Sequence, residues 1–216
     1  MKKTILVVED HFNISLTGKL LLESFDYVVL EANTGESAIE IVQNHPEIDL
    51  ILMDIDLGSG IDGTEAAKEI LKHHDLPLIF HSSHLESEIV DKTEGISSYG
   101  YVVKGSGDHV LNAAINMAFK LHESHQRFKN SFHASPIPYA LNDNDLNIID
   151  VNQAFIVTFG YDLNDIPSVH NWWPLAYPDE AYRNWVSTEW EKRLEVSTNL
   201  GIPFEPIELI INCKNG

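Results

Sequence analysis

Five polar side chains that could act together in phosphoryl or metal chemistry occur at regular positions in the first half of the sequence. Glu9 and Asp10 follow one short apolar run, and Asp54 follows another. Ser82 and Lys104 each close a further run. Grouped carboxylates suit a hard divalent cation such as Mg²⁺, which prefers carboxylates, waters and phosphate oxygens. A carboxylate can also attack phosphorus to form an aspartyl phosphate, and a lysine charge then stabilises the phosphoryl oxygens.

The apolar runs before these residues are predicted strands, with helical patterns between them. The predicted strands are Thr4–Val8, Tyr27–Leu30, Asp49–Asp54, Leu78–His81 and Gly100–Val103. The helices between them cover 13–24, 37–44, 64–73 and 86–93, and Thr34 is the predicted N-cap of the second. Alternating strands and helices favour an α/β fold, a parallel sheet with helices on both faces. Five strands fit the flavodoxin-like order 2-1-3-4-5. That order brings Glu9, Asp10 and Asp54 into one crevice, and the ends of strands four and five add Ser82 and Lys104.

Composition narrows the classes of partner. The formal net charge of −19 makes binding to nucleic acid or to an anionic membrane through bulk electrostatics a poor expectation. The single cysteine, Cys213, excludes an internal disulfide and a cysteine-based zinc site, and fits a reducing cytosol. No apolar run approaches the ~20 residues that a membrane helix needs. We therefore expect a cytoplasmic protein, with no nucleic-acid or membrane partner for this stretch of chain.

Residues 1–121 resemble the receiver domain of response regulators. The matching features are Glu9-Asp10, Asp54 after an apolar strand, the Asp62-Gly63 turn, Ser82 and the stretch Tyr101–Lys104. The resemblance implies a phosphoprotein of two-component signalling, or of a phosphorelay, that accepts a phosphoryl group on Asp54 from a partner sensor histidine kinase. It implies Asp10, Asp54 and the backbone carbonyl of Asp56 as Mg²⁺ ligands, with Glu9 acting nearby or through water.

The same resemblance gives roles to the residues at the later strand ends. Ser82 would be the switch hydroxyl, Lys104 the cation on the phosphoryl oxygens, and Tyr101 the switch aromatic. The family usually has proline after this lysine, and Gly105 stands here instead, so the geometry of the following loop stays open. His84, like Asp56, flanks the site and could tune hydrolysis of the phosphoryl group. A phosphoacceptor domain of this kind is not itself an enzyme.

Two other functions compete with this interpretation. A protein with a receiver fold could be an interaction scaffold that is never phosphorylated, although the complete acidic pocket argues against it. Alternatively, Asp54–Gly58 resembles the DxDx(T/V) motif of haloacid-dehalogenase-type phosphatases. Glycine at the last motif position and the placement on a third strand argue against a hydrolase, which would also leave Glu9-Asp10 unexplained.

Residues 108–132 are predicted to form one long helix with a heptad pattern. The apolar seam consists of Leu111, Ala114, Ala118, Leu121, His125, Phe128 and Phe132, at alternating spacings of 3 and 4. The seam continues past the receiver, so we interpret residues 122–134 as a helical connector. Pairing of two chains through residues 108–132 would give a homodimer. The alternative is that the seam packs on the second half of its own chain.

Residues 135–216 resemble a PAS sensory domain, an α+β fold. The matching pieces are Val151–Phe155, Gly160-Tyr161, Ala176–Asp179 and Pro206–Glu208 ahead of Cys213–Gly216. Predicted helices begin at Asn152 and Asp179, and the predicted strands are 139–141, 148–151 and 207–211. A PAS sheet normally has five strands, so we expect an incomplete domain from a longer sensor protein with a kinase or another output module.

The sequence leaves the PAS ligand open, including the case of none. A flavin-thiol photosensor needs a cysteine on the helix after the first hairpin, and Cys213 lies elsewhere. Haem needs an axial ligand such as histidine, and His170 is predicted to lie in a loop. The four tryptophans, Trp172, Trp173, Trp185 and Trp190, are interpreted as packing residues rather than as a cofactor cage.

Overall fold

The computed structural model describes residues 2–83, 96 and 98–215. His84 and the predicted helix over 86–93 lie outside the described residues. The chain divides into two compact units, Met1–Gln126 and Arg127–Gly216. This division falls inside the predicted connector, residues 122–134, while the exact limits of the receiver and PAS portions stay predictions.

The first unit contains a five-stranded sheet in the order β2-β1-β3-β4-β5. Its strands are β1 (Thr4–Val8), β2 (Val28–Ala32), β3 (Ile48–Met53), β4 (Leu78–Ser82) and β5 (Tyr101–Val103). Every pair of neighbours is parallel. The predicted flavodoxin-like order is therefore confirmed, and all five carboxyl ends lie along one edge of the sheet.

Four described helices connect or follow these strands. They are α1 (Phe12–Ser24), α2 (Gly35–Asn44), α3 (Gly63–Leu71) and α4 (Asp108–Ala134). The starts of α2 and α3 are fixed by side chains that accept hydrogen bonds from backbone N–H groups which a helix leaves unpaired. Thr34 accepts from the amide of Ser37, as its predicted capping role requires, and Asp62 accepts from the amides of Thr64 and Glu65.

The core of the first unit is two apolar layers, one on each face of the sheet. Because successive side chains of a strand point to opposite faces, β1 and β3 supply both layers. One layer packs Leu6 and Met53 against Ile70 of α3. The other packs Ile5 against Leu22 of α1, together with Ile115 of α4. Strands buried on both faces explain why the sequence shows continuous apolar runs rather than alternation.

The second unit begins with an antiparallel hairpin. Its elements are β6 (Ala140–Asn142), β7 (Ile148–Val151), α5 (Gln153–Phe159), α6 (Val169–Ala176) and α7 (Glu180–Leu200). The predicted strand over 207–211 is wrong, since no strand is assigned there among the described residues. The backbone N–H groups of Ile210 and Asn212 donate instead to the hydroxyl of Tyr182 and to the carbonyl of Ala176.

The placement of His170 in a loop is also wrong, because this residue lies on α6. Pro174 lies inside this helix, although proline removes a backbone donor and clashes with the preceding turn. The N-cap outweighs this cost at the start of α6, where the Ser168 hydroxyl accepts a hydrogen bond from the Asn171 amide at 3.2 Å.

Asn152 ties the parts of the second unit together and is completely buried. Its side-chain oxygen accepts hydrogen bonds from the amides of Tyr139 and Phe155, each at 2.9 Å. Its side-chain nitrogen donates to the carbonyl of Phe132 at 3.0 Å and to that of Ile137 at 2.8 Å. One residue therefore caps α5 and also joins it to the end of α4 and to the segment before β6.

The residues of the seam predicted on α4 do not form one continuous exposed surface. Leu111 and Ala118 are buried in the first unit, and Phe132 is buried in the second, where it stacks on Tyr139. Leu121 and Phe128 remain exposed, at 48% and 55%.

Among the residues that the structure describes, no helix combines the length and the apolar character that crossing a membrane requires.

Candidate functional site

Asp54 lies where the central strand β3 ends, with only 6% of its surface exposed. Val8 of β1 is paired with Met53 of β3, so the residues that follow these two, Glu9 and Asp54, leave the sheet at the same edge. The amide of Asp54 donates to the carbonyl of Val8 at 2.9 Å. The sheet register therefore fixes the Asp54 carboxylate beside the carboxyl end of β1.

The start of α3 closes tightly over the Asp54 backbone. A Cβ atom on Gly63 would lie 1.8 Å from the carbonyl oxygen of Asp54, which no side chain could tolerate. The amide of Gly63 donates to the carbonyl of Ile55 at 2.9 Å. The Asp62-Gly63 turn noted in the sequence is thus required by close approach of two backbone segments.

Lys104, directly after β5, joins two of the predicted carboxylates. Its ammonium nitrogen lies 2.6 Å from Asp54 Oδ2 and 2.5 Å from Glu9 Oε2. Burial alone would lower the pKa of Lys104, but the hydrogen bonds and negative charges of Asp54 and Glu9 outweigh it and raise this pKa above its ordinary value. Lys104 therefore carries a fixed positive charge at the bottom of the crevice.

A second group of ligand atoms lies at the end of β1. One atom each from Glu9, Asp10 and His11 lies within 4.8 Å of the others, a spacing that a metal ion could bridge. Glu9 is buried, Asp10 partly buried and His11 exposed. His11 Nδ1 lies 2.7 Å from Asp10 Oδ1. Sequence reasoning missed His11, although its position directly after Glu9-Asp10 was the available signal.

The other predicted site residues lie around this centre. Ser82 ends β4 and is 1% exposed, and the amide of Lys104 donates to its carbonyl at 2.9 Å. Tyr101 opens β5 and is 38% exposed, and Asp56 is exposed in the loop after β3. The structure therefore brings Glu9, Asp10, Asp54, Ser82 and Lys104 to one edge of the sheet, as the sequence predicts, while their chemical roles remain proposals.

Gly105, which stands where proline was expected, adopts a φ of +82°. This left-handed conformation is open to glycine and closed to proline, whose ring holds φ near −65°. The loop after Lys104 therefore follows a path that the usual family residue could not take. This settles the loop geometry that the sequence left open.

Comparison with known proteins decides the family. A model of the response regulator receiver domain matches residues 5–116, slightly more than half of the chain. This chain belongs to the response regulator receiver family. A PAS domain model matches residues 126–194, so the receiver is followed by a PAS domain.

Relatives of the receiver confirm that the chain is a protein of two-component signalling. The uncharacterized transcriptional regulatory protein YrkP of Bacillus subtilis is 34% identical over 134 residues, which cover 60% of this chain and 54% of YrkP. YdfI, a transcriptional regulatory protein from the same organism, is 32% identical over 117 residues, covering 51% of this chain and 54% of YdfI. The chain thus spans about half the length of these curated relatives.

A solved structure extends the likeness to three dimensions. It is the N-terminal domain of a response regulator/sensory box/GGDEF 3-domain protein from Carboxydothermus hydrogenoformans, with 40% identity and a TM-score of 0.55. The match covers 57% of this chain and 99% of that domain. The receiver fold of this chain is therefore shared along the whole length of a separately solved receiver.

The receiver also holds a partly buried histidine that the sequence analysis did not single out. His81 of β4 borders a cavity of about 410 Å³ between α1 and the loop after β5, beside Ile14, Thr17 and Lys104. Burial, and to a smaller extent the charge of Lys104, lowers the pKa of His81 to about 4. Near neutral pH this imidazole is therefore uncharged.

The PAS portion contains a larger cavity of about 560 Å³ between its hairpin, α6 and α7. Trp172, Trp173 and Trp190 contribute to its lining. Trp172 also packs on Phe155 and Tyr161, with ring centroids 5.1 and 5.4 Å apart. At least this tryptophan therefore has the packing role that the sequence predicted.

Proposed function

We propose that this chain accepts a phosphoryl group on Asp54 from a partner sensor histidine kinase, in a reaction that needs Mg²⁺. The observation that carries this proposal is the Lys104 ammonium held 2.6 Å from the nearly buried Asp54 carboxylate. An ion pair with a purely structural role would account for the contact between Lys104 and Asp54. It would not explain why Glu9, Asp10 and Ser82 converge on the same strand ends.

In the proposed reaction an oxygen of Asp54 attacks phosphorus. The phosphorus–nitrogen bond of the donor phosphohistidine breaks, the imidazole keeps the bonding electrons, and a phosphorus–oxygen bond forms on Asp54. The Lys104 ammonium stabilises the charge on the phosphoryl oxygens because it is already in place. The Ser82 hydroxyl moves toward the phosphoryl group and donates a hydrogen bond to one of its oxygens. Tyr101, as the switch aromatic, responds to this movement of Ser82.

The residues present fit Mg²⁺. The donors at the crevice are hard carboxylate oxygens, which this cation prefers. Asp10 Oδ2 is reached closely by the loop after β3, where a Cβ on Gly58 would lie 2.9 Å from it. Asp10, Asp54 and the backbone carbonyl of Asp56 would hold the ion, and Glu9 would act nearby or through water. When bound, Mg²⁺ would supply positive charge to the phosphoryl oxygens.

Intact-mass spectrometry after incubation with acetyl phosphate tests the phosphoacceptor. We expect one added phosphoryl group on the wild type with Mg²⁺, none after chelation, and none on Asp54→Asn, which keeps the side-chain shape and loses the nucleophile. Asp26→Asn changes an exposed aspartate that pairs with Lys2 outside the site, and this matched control should be labelled. Equal labelling of wild type and Asp54→Asn would overturn the assignment, and an unlabelled wild type would favour the scaffold function.

We further propose that the connector carries the state of the receiver to the PAS module and pairs two chains through residues 108–132. Val110, Met117 and Leu121 are exposed on α4 at 50%, 57% and 48%. These residues recur at spacings of seven and four, so they share one side of the helix. Pairing would remove apolar surface from water, at about 25 cal/mol per Å². By analogy with the three-domain protein of Carboxydothermus hydrogenoformans, the receiver and PAS domains together would control an output module.

A further inference from the structure

His11 is placed to take part in metal binding at the receiver site. It is the N-cap residue of α1, but its side chain makes no capping hydrogen bond. Its Nδ1 atom is turned to the carboxylates, 2.7 Å from Asp10 Oδ1 and 3.7 Å from Glu9 Oε1. The ring is 69% exposed, so small adjustments of its position are not blocked by packing.

These separations suit ligands of one six-coordinate ion. Bonds of about 2.1 Å place neighbouring ligand atoms roughly 3 Å apart and opposite ones roughly 4.2 Å apart. The atoms of Glu9, Asp10 and His11 all lie within 4.8 Å of one another. An imidazole in the set changes its chemistry, because imidazole nitrogen suits transition ions such as Ni²⁺ and Zn²⁺, whereas Mg²⁺ prefers oxygen ligands.

We propose that His11 is a metal ligand through Nδ1 and shifts the preference of the receiver site from Mg²⁺ toward transition cations such as Ni²⁺. This inference rests on the proposed function, since Asp10 is a metal ligand in both. It adds a ligand and a selectivity that an all-oxygen site lacks. The competing arrangement is that Nδ1–H of His11 only donates a hydrogen bond to Asp10 and leaves the ion to oxygen ligands.

Pulsed electron paramagnetic resonance of Mn²⁺ bound to the intact chain distinguishes the two. Directly coordinated imidazole nitrogen should modulate the signal of the wild type, and His11→Gln should remove the modulation. His45→Gln is the matched control and should retain it, because His45 Nδ1 pairs with Glu47 Oε1 at 2.8 Å but has one carboxylate partner instead of two. Calorimetric titrations should show the preference for Ni²⁺ over Mg²⁺ falling about tenfold or more in His11→Gln, since losing even an outer-shell partner costs that much.

The outcomes separate this inference from the proposed function. Mn²⁺ binding that is abolished by Asp10→Asn but shows no nitrogen modulation would overturn the role of His11 alone. Modulation that survives in His11→Gln would do the same. Failure of both Mg²⁺ and Mn²⁺ to bind the wild type more tightly than Asp10→Asn would instead overturn the metal site of the proposed function.

Discussion

At the scale of single residues, the carboxylates of the crevice repel one another when no metal cation is bound. Lys104 offsets Asp54 and Glu9, whereas the ion pair that Asp10 makes within the described residues is with the exposed ring of His11. Without metal, Asp10→Asn should therefore stabilise the chain by roughly 1 kcal/mol, because a repelling charge is removed. With Mg²⁺ the order should reverse, since only the wild type gains binding energy. Urea unfolding with and without Mg²⁺ measures both effects, and a variant clearly less stable without metal would contradict the argument.

His81 makes the stability of the receiver depend on pH. Its pKa is about 4 in the folded chain and 6.5 as a free side chain, so between these values the unfolded chain binds more protons. Stability from this residue is then complete above pH 6.5 and declines as the pH falls toward 4. From pH 6.5 to about pH 5 the loss should be roughly 2 kcal/mol.

The variant His81→Gln should show a weaker decline over the same range, because it has no group to protonate. His125→Gln, which changes an exposed histidine of α4, serves as the control and should keep the wild-type pH dependence. Acid titrations of unfolding free energy compare the three proteins. Parallel curves for wild type and His81→Gln would show that burial of this imidazole does not govern the effect.

The sequence predicted the acidic residues and Lys104 because each stands at the end of an apolar run. It could not predict that the Lys104 ammonium contacts both Glu9 and Asp54, since this contact depends on the side-chain conformations at the strand ends. It also missed His11 and His81. The position of His11 directly after Glu9-Asp10 was a signal, whereas the environment of His81 arises from burial, which no spacing pattern in the chain records.

At the scale of elements, the start of α3 leaves no room for a side chain. Gly63→Ala would place a methyl group against the Asp54 carbonyl, and one backbone segment would have to move. We expect a loss of roughly 3 kcal/mol, at the upper end of overpacking costs, together with slower labelling of Asp54. Gly18→Ala is the control, since nothing lies within 4 Å of a Cβ there, and it should be neutral or slightly stabilising as a helix substitution.

Hydrogen exchange of the β3 amides in the intact chain measures this effect within the first unit. Faster exchange in Gly63→Ala but not in Gly18→Ala is the expected result. Unchanged exchange and labelling in Gly63→Ala would mean that the turn can relax without cost.

The elements themselves were predicted where caps and apolar runs agree, as at Thr34 and across β1 to β5. Prediction failed where tertiary contacts replaced local signals. The segment 207–211 has strand-like composition, yet the amides of Ile210 and of the following Asn212 donate hydrogen bonds to the Tyr182 hydroxyl and the Ala176 carbonyl. Helix α6 forms around Pro174 because Ser168 caps it and Trp172 and Ala176 pack into the second unit.

At the scale of the whole molecule, the proposed pairing of two chains depends on the exposed side of α4. Leu121→Glu should shift the chain toward monomer, because a charge would lie in the paired interface. Asn116→Glu adds the same charge at an exposed position on another side of the helix. This variant should have the same oligomeric state as the wild type. Light scattering with and without beryllofluoride and Mg²⁺ measures whether the chain is a monomer or a dimer. A wild-type monomer under both conditions, well above micromolar concentration, would exclude the homodimer.

The four tryptophans lie at positions 172, 173, 185 and 190, all within Arg127–Gly216. The chain therefore carries its own optical label on one unit. Emission excited selectively through indole arises from the PAS portion alone, while the proposed phosphorylation of Asp54 would take place in a unit with no indole. A change in this emission on acetyl phosphate treatment that is absent in Asp54→Asn would measure, without any added dye, how much of the receiver's state reaches its neighbour.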